Sequence, residues 1–178
     1  MGTRRSEAFN EALRASLPRL CRYASRLCAS REAAADSVQD AVLRAIQRSD
    51  AYDPSRPLLP WLLTLVRHAV VDRSRSFDPF RRSSDLSEMD DLPLARGPDP
   101  ARDAATSQAG ERLAEALGGL PLEQRSTVVL FYLEGMSLDE IAAIESVAVG
   151  TIKSRLHRAR EALAARLGEA FDGGSLWN

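Results

Sequence analysis

The chain has 178 residues, of which 44% are hydrophobic and 28% are charged, and this length suits one ordinary domain or two small ones. Its formal net charge of −1 excludes a chain that is basic throughout, so any contact with nucleic acid must come from a local patch. No apolar run is long enough to span a bilayer and no secretory signal is found. These features predict a cytoplasmic protein without a membrane partner.

The first 76 residues show helical periodicity and no strand-like alternation. Capping residues and prolines predict helices over 6–15, from Pro18 to about Cys28, from the N-cap Ser30 to about Arg48, and from Pro60 to about Ser74. Cys21 and Cys28 are interpreted as small core residues. The predicted buried side of the third helix consists of Ala34, Val38, Ala41, Val42, Ala45 and Ile46. Together the elements predict a compact bundle of about four helices.

The middle of the chain has a different composition. Residues 77–108 hold four prolines and few large apolar residues. An acidic cluster is formed by Asp85, Glu88, Asp90 and Asp91. This composition predicts a flexible linker without a core of its own.

The last third of the chain predicts a helix-turn-helix. Helices are expected over 109–117 and from Leu120 to Gly135, and Ser137 with Glu140 matches a capping box that opens a short third helix. Residues 145–148 are interpreted as a turn. A longer helix then begins at Val149, and its apolar stripe is Val149, Ile152, Leu156, Ala159, Leu163 and Leu167.

The other face of this last helix is cationic and polar. Lys153, Ser154, His157 and Arg158 are the residues best placed to read base edges, because the N-terminal part of such a helix enters the major groove. An ordinary solvated charged face is the competing interpretation. The two-helix spacing favours the DNA-binding one.

Catalytic chemistry is not indicated. The chain has no glycine-rich phosphate loop, no metal-ligand spacing and no nucleophile motif. Asp36 and Asp40 lie one helical turn apart, which is usual for a solvated face. We predict that the protein is not an enzyme and needs no cofactor or metal.

Three runs of sequence resemble one family. The run LPLEQRSTVVLFYLEGMSLDEIAAIESVAVGTIKSRLHRARE resembles region 4 of an extracytoplasmic function (ECF) sigma factor, and VGTIKSRLHRAR is its most specific part. The runs DSVQDAVLRAIQ and DPSRPLLPWLLTLVRHAVVDRSR resemble region 2 of the same family. The resemblance covers about 9–76 and 111–168.

The resemblance implies an all-α fold with two small helical domains, 6–76 and 109–170, joined by the linker 77–108. It implies a promoter-recognition subunit of RNA polymerase that acts at the minus-10 and minus-35 elements. The implied partners are promoter DNA, the clamp of the largest polymerase subunit, the flap of the second-largest subunit, and an anti-sigma factor.

The resemblance also implies roles for single residues. For the minus-35 element, the base-reading residues are Lys153, Ser154, His157 and Arg158. For the DNA backbone, the phosphate-binding residues are Arg125, Thr151, Arg155 and Arg160. For the minus-10 element, the residues are Tyr52, Arg56 and His68, which we expect to form a pocket for an unstacked base. Tyr52 either stacks on that base or serves as a partly buried anchor of the loop. For docking on polymerase, the residues are Asp36, Gln39, Asp40 and Arg44.

The chain departs from the family pattern in two places. His68 stands where relatives commonly have asparagine, which affects the expected base preference. Glu145–Ser146 stands where the turn usually reads Leu-Gly. A non-glycine residue in a left-handed turn costs roughly 1–2 kcal/mol, and we expect a glutamate at a normally apolar position to loosen the helix packing.

Two alternatives remain open from the sequence. A sigma-like domain could capture an anti-sigma factor without supporting transcription, although such proteins usually carry a receiver domain, which this sequence lacks. A dimeric helix-turn-helix regulator could bind an operator, but this interpretation leaves the first seventy-odd residues without a role.

Overall fold

The structure is a computed structural model that describes residues 2–76 and 108–167. Every regular element in these two ranges is helical, which confirms the predicted all-α class. The N-terminal elements are α1 (Gly2–Leu27), α2 (Arg31–Gln47), a 3₁₀ turn (Ser49–Ala51) and α3 (Leu58–Ser76). The C-terminal elements are α4 (Gln108–Gly118), α5 (Leu122–Val128), a π-helical turn (Val129–Leu133), α6 (Leu138–Glu145) and α7 (Val149–Leu167). The predicted linker lies outside the described residues, apart from Gln108.

One continuous helix replaces the two that were predicted before Ser30. Pro18 lies inside α1 rather than at the start of a new helix. Proline removes one backbone hydrogen bond and disfavours the turn before it. The buried side chains of Leu13, Leu20 and Tyr23 continue on one face across this point, so apolar burial on both sides of Pro18 holds the helix together.

The surface of α2 differs from the prediction at one position. Ile46 was assigned to the buried side, but it is 50% exposed, and Leu43 beside it is 49% exposed. The buried stripe of α2 is formed by Ala34, Val38, Ala41 and Ala45, which were predicted to be buried. Since Leu43 and Ile46 are three residues apart on a helix, they form one exposed apolar patch.

The two cysteines differ in burial. Cys21 is exposed rather than buried, whereas Cys28 lies in the core as expected.

The two halves of the described chain share one hydrophobic core. The N-terminal helices α1–α3 pack on one another, and α5 and α6 pack on α7. Helix α3 also contacts α6, and α1 contacts α4 and α5. The shared cluster contains Leu20, Tyr23 and Val66 from the first half and Leu130, Ile141 and Ile152 from the second. We call this packing of the two halves the closed arrangement.

Charged and polar side chains also cross the junction between the halves. The Arg67 guanidinium donates to the Glu123 carboxylate at 2.8 Å, and both side chains are about nine-tenths buried. The Arg19 guanidinium donates to the Glu134 carboxylate at 2.6 Å. The Tyr23 hydroxyl lies 2.8 Å from the Ser126 hydroxyl. Since buried ion pairs require good geometry to offset desolvation, these contacts fix how the halves fit together.

None of the helices in the two described ranges is both long enough and apolar enough to cross a bilayer.

Candidate nucleic-acid interface

Helix α6 begins with the predicted capping box. The Ser137 hydroxyl accepts a hydrogen bond from the Glu140 backbone N–H at 3.3 Å, and the Glu140 carboxylate accepts one from the Ser137 backbone N–H at 2.8 Å. The Ser137 hydroxyl also lies 2.8 Å from this carboxylate, and the hydrogen bonds from the Ser137 backbone N–H and hydroxyl to the carboxylate lower the pKa of Glu140, because they favour its charged form. Ile141, Ala142 and Ile144 are buried on the inner face of the helix. The cap therefore fixes where the first helix of the helix-turn-helix starts.

The turn between α6 and α7 is tighter than predicted. Ser146 adopts the left-handed conformation with φ 56° and ψ 43°. This residue stands where the family turn usually has glycine, so the left-handed conformation expected for that position is present. Glu145, which was assigned to the turn, is the last residue of α6, and its side chain is fully buried. It accepts hydrogen bonds from α5 and α7. The expectation that Glu145 would loosen the packing is therefore wrong.

We expect Ser146→Gly to raise the free energy of unfolding by about 1 kcal/mol, because glycine adopts the left-handed conformation without the penalty of a Cβ. Denaturant titration measures this change. Gly135→Ala is the matched control of opposite sign. Gly135 has φ 68°, and in the part of the chain that the structure describes no atom lies within 4 Å of an added Cβ, so alanine there meets backbone strain without a steric clash. A loss of stability in Ser146→Gly would contradict the assignment of strain to this turn.

Helix α7 has a buried face and a free face. Ile152, Leu156, Ala159 and Leu163 are buried as predicted, and Val149 and Leu167 are partly buried against the same core. Lys153, His157 and Arg158 are exposed. Ser154 is half-buried, and its hydroxyl donates to the Thr151 carbonyl at 2.9 Å. His157 lies 3.6 Å from the Glu161 carboxylate one turn further along the helix. The structure thus brings the four predicted base-reading residues, Lys153, Ser154, His157 and Arg158, to one side of α7, which we call its free face.

Two of the four predicted phosphate-binding residues are unsuited to that role. Arg125 is buried, and its guanidinium donates to the backbone carbonyls of Leu27, Gly118 and Leu120. Burial also lowers its pKa. The Arg155 side chain is 14% exposed and pairs with the Glu145 carboxylate at 2.5 Å. Both predictions are wrong, because these guanidiniums stabilise the protein interior.

The other two phosphate candidates remain accessible to different degrees. Thr151 is half-buried in the first turn of α7, and Arg160 is exposed. The Arg160 guanidinium donates to the Tyr132 hydroxyl at 2.8 Å and lies 5.8 Å from the centre of that ring. The Tyr132 ring therefore holds Arg160 in place on the surface.

The minus-10 candidates lie on and beside the loop before α3. Tyr52 packs in an aromatic cluster, with its ring centre 5.5 Å from that of Trp61 and 5.9 Å from that of Phe9. Its hydroxyl donates to the Arg56 carbonyl. The Arg56 side chain is exposed. These contacts make Tyr52 an anchor of the loop.

The third minus-10 candidate, His68, is an exposed residue of α3. Partial burial and the nearby Arg67 lower the pKa of its imidazole, with burial the larger cause. Both effects disfavour the charged ring. At neutral pH this side chain therefore presents one N–H donor and one ring-nitrogen acceptor.

The polymerase-docking candidates lie on α2, where intramolecular ion pairs hold most of them. The Arg73 guanidinium lies 3.1 Å from Asp36 and 3.6 Å from Asp40, and Arg44 pairs with Asp72 at 3.2 Å. Gln39 is exposed. The exposed pair Leu43 and Ile46, which sequence analysis missed, lies on the same helix. Leu43 lies one helical turn after the polar Gln39, and this spacing is the feature of the sequence that could have placed Leu43 on the exposed face.

Comparisons with known proteins identify the family. The family model for Sigma-70 region 2 matches residues 12–78, and the model for Sigma-70 region 4 matches residues 110–163. The ECF RNA polymerase sigma factor SigL of Mycobacterium tuberculosis is 36% identical over 151 residues, which cover 84% of this chain and 83% of that protein. The chain belongs to the ECF RNA polymerase sigma factors. Members of this family are initiation factors without an enzymatic activity of their own.

Other relatives of this ECF sigma factor agree. EcfG of Rhodopseudomonas palustris is 32% identical over 162 residues, which cover 91% of this chain and 86% of that protein. Among solved structures, the sigma factor RpoE in complex with the anti-sigma factor NepR from Bartonella quintana gives a TM-score of 0.76 at 29% identity. That match covers 90% of this chain and 97% of RpoE. The operator-binding alternative leaves the first half without a role, yet a region 2 model matches that half.

Proposed function

We propose that this sigma factor reads the minus-35 element with the free face of α7 while region 2 holds polymerase and the minus-10 element. The observation that carries the proposal is the division of α7 into two faces. Lys153, His157 and Arg158 project into solvent, and the buried stripe from Ile152 to Leu163 fixes the rotation of the helix. Lysine and arginine donate to guanine, and histidine can bond several base edges. Thr151 and Arg160 flank this face and bind phosphates.

Polymerase docks on α2 in this proposal. The exposed patch of Leu43 and Ile46 supplies the apolar centre, and Gln39, Asp36, Asp40 and Arg44 supply the polar rim. Protein interfaces commonly combine such a centre with such a rim. The ion pairs to Arg73 and Asp72 hold the rim side chains in place before docking. The flap of the second-largest subunit is the proposed contact of region 4.

Region 2 holds the minus-10 element through the loop before α3. The aromatic cluster fixes the backbone of this loop, and Asp53 tightens it by accepting hydrogen bonds from the Ser55 N–H at 2.9 Å and the Ser55 hydroxyl at 2.8 Å. The Arg56 side chain is 82% exposed and can bind a phosphate. A base taken out of the stack needs a preformed pocket to offset a cost of a few kcal/mol. We assign that pocket to this loop and His68.

The closed arrangement must open for both elements to be read at once. The elements lie about 25 base pairs apart, which is roughly 85 Å of duplex at about 3.4 Å per base pair. A compact body of this size is only roughly 35–40 Å across. The residues between 76 and 108 can extend over roughly 100 Å at about 3.3 Å per residue, so they allow the separation. We therefore propose that 6–76 and 109–170 act as separate domains on the promoter, joined by 77–108.

The proposed site of action is the cytoplasm, where polymerase and promoter DNA are found. An anti-sigma factor is a further proposed partner. Support comes from the structural relative RpoE, which was solved in complex with the anti-sigma factor NepR. A second structural relative, CnrH, was solved in complex with the cytosolic domain of CnrY. Such a partner would act most simply by binding surfaces that opening of the closed arrangement exposes.

Run-off transcription with core polymerase and a randomised promoter pool tests the proposal. We expect Arg158→Ala to relax sequence preference at one minus-35 position by about 1–3 kcal/mol and to leave the other positions unchanged. Arg14→Ala removes an exposed arginine on α1 and serves as the control, because it makes the same charge change away from α7. Uniform weakening on all promoters would contradict a base-reading role for Arg158 and leave it a phosphate contact.

A further inference from the structure

Glu145 is a buried carboxylate at the end of α6, at the position where the family turn usually has leucine. Its side chain is fully buried. Burying a carboxylate is unfavourable unless several donors replace the lost water. The groups around Glu145 therefore show what this residue does in this chain.

Donors from two other helices converge on this carboxylate. The Ser126 hydroxyl of α5 donates to one oxygen at 2.7 Å, and the Arg155 guanidinium of α7 donates to the other at 2.5 Å. The Thr127 hydroxyl lies 3.1 Å and 3.2 Å from the two oxygens. Glu145 thus ties the two helices of the helix-turn-helix to the supporting helix α5.

The same network reaches the first half of the chain. A serine hydroxyl carries one proton, and the proton of Ser126 is directed to Glu145. Tyr23 of α1 therefore donates its own proton to the Ser126 oxygen, at 2.8 Å. Burial raises the pKa of Tyr23 well above its ordinary value, which keeps that proton in place.

Arg155 lies between Lys153 and His157 in sequence, but two residues of a helix turn its side chain by about 200°, so it points away from them and toward Glu145. An α-helix advances about 1.5 Å and turns about 100° per residue, so holding one side chain fixes both the depth and the rotation of its neighbours. The Glu145 contact also keeps the Arg155 guanidinium away from solvent and phosphates.

We infer that Glu145 is a positioning residue for promoter recognition: through Arg155 it sets the rotation of α7 and so the base contacts of Lys153, His157 and Arg158. This inference rests on the proposed role of α7 at the minus-35 element. Glu145 itself touches no DNA in this account. Arg155 stabilises the position of α7 through its ion pair with Glu145 and does not contact phosphate.

The test uses holoenzyme assembled from the full chain and core polymerase. The probes are a duplex selected from a random pool by the wild-type holoenzyme and a scrambled duplex of the same composition. Two quantities are measured for each variant: the ratio of the two affinities, and the slope of log affinity against log salt concentration. Circular dichroism and thermal unfolding of the free chain establish that each variant is folded.

We expect Glu145→Gln to lower the affinity ratio at least about fivefold, the lower end of what one base contact contributes. We expect Arg155→Gln to lower the ratio similarly. We expect the salt slope to stay unchanged, because an arginine paired inside the protein releases no counterions from DNA. An arginine that binds a phosphate would instead make the slope shallower by about 0.9. Glu111→Gln, an exposed carboxylate on α4, makes the same charge change as Glu145→Gln and should alter neither quantity.

A ratio within twofold of the wild type in a folded variant would overturn the inference, and so would a shallower slope for Arg155→Gln. If Glu145→Gln does not fold, the Arg155→Gln measurement decides alone. Failure of the proposed function looks different. In that case Arg158→Ala would leave the preference for the selected duplex intact, whatever Glu145 does.

Discussion

The Leu43→Asp/Ile46→Asp variant is expected to lose at least about 100-fold in affinity for core polymerase. Both side chains are about half exposed, so docking would bury the remaining apolar surface of each, which contributes about 1 kcal/mol per residue. Two aspartates in the same place would be buried as carboxylates without partners, at a further cost of several kcal/mol. A 100-fold loss in affinity needs only about 2.8 kcal/mol, at about 1.4 kcal/mol for each factor of ten, and the sum of these costs exceeds that.

Titration of labelled sigma factor with core polymerase measures this loss. Folding should survive, because the two positions are on the surface of α2. The matched control is Ala12→Asp/Ala15→Asp on α1, where two exposed alanines receive the same charges at the same spacing and a helix-propensity cost at least as large. Affinity within threefold of the wild type in the α2 variant would remove α2 from the docking surface.

Arg67→Met is expected to open the closed arrangement. Within residues 2–76 and 108–167, the substitution leaves the buried Glu123 carboxylate with Arg155 as its one cationic neighbour, whose nearest nitrogen is 4.0 Å away. Removing one partner of a buried ion pair typically costs about 3–5 kcal/mol. Separation of the two halves returns Glu123 to water and relieves that cost. The halves should therefore part before either one unfolds.

Small-angle scattering and hydrogen exchange measure the opening. We expect a larger radius of gyration and faster exchange in α3 and α6 of the variant. The control is Arg67→Met/Glu123→Leu, which replaces the ion pair by two apolar side chains and should restore the closed arrangement. The wild-type pair is poorly satisfied, because Arg67 Nε and Glu123 Oε1 have no hydrogen-bond partner among the described residues, so the apolar pair can be at least as stable. An unchanged radius in Arg67→Met would show that other contacts hold the halves.

Local signals in the sequence predicted most of the elements because they depend on neighbours in the chain. The N-cap Ser30 accepts from the Ala33 N–H at 3.1 Å, and the Ser137–Glu140 capping box forms as expected. Periodicity likewise predicted the buried stripe of α7. Pro18 was wrongly predicted to start a new helix. The cost of a proline inside a helix depends on the local backbone, whereas the burial of Leu20 and Tyr23 that offsets this cost depends on packing against other helices.

The errors in the candidate site have a common cause. A cationic side chain near a DNA-reading helix predicts a phosphate contact, but pattern alone does not reveal a buried acceptor elsewhere in the chain. The Arg155 guanidinium donates to Glu145, ten residues earlier in the chain, and the Arg125 guanidinium donates to the Leu27 carbonyl, 98 residues earlier. The exposed patch was missed for the opposite reason. Ile46 was assigned to the core because an apolar residue on an amphipathic helix is placed there by default, and Leu43 was assigned to neither face.

Energy transfer between dyes on the two halves measures their separation on the promoter. A donor dye on the native exposed Cys21 and an acceptor dye on Ala165→Cys in α7 would report this distance, with the buried Cys28 protected from labelling. We expect efficient transfer in the free chain, where both sites lie within roughly 35–40 Å. We expect near loss of transfer in the polymerase–promoter complex, where the two elements lie roughly 85 Å apart. Transfer that stays efficient in a complex active in transcription would contradict the opening of the closed arrangement.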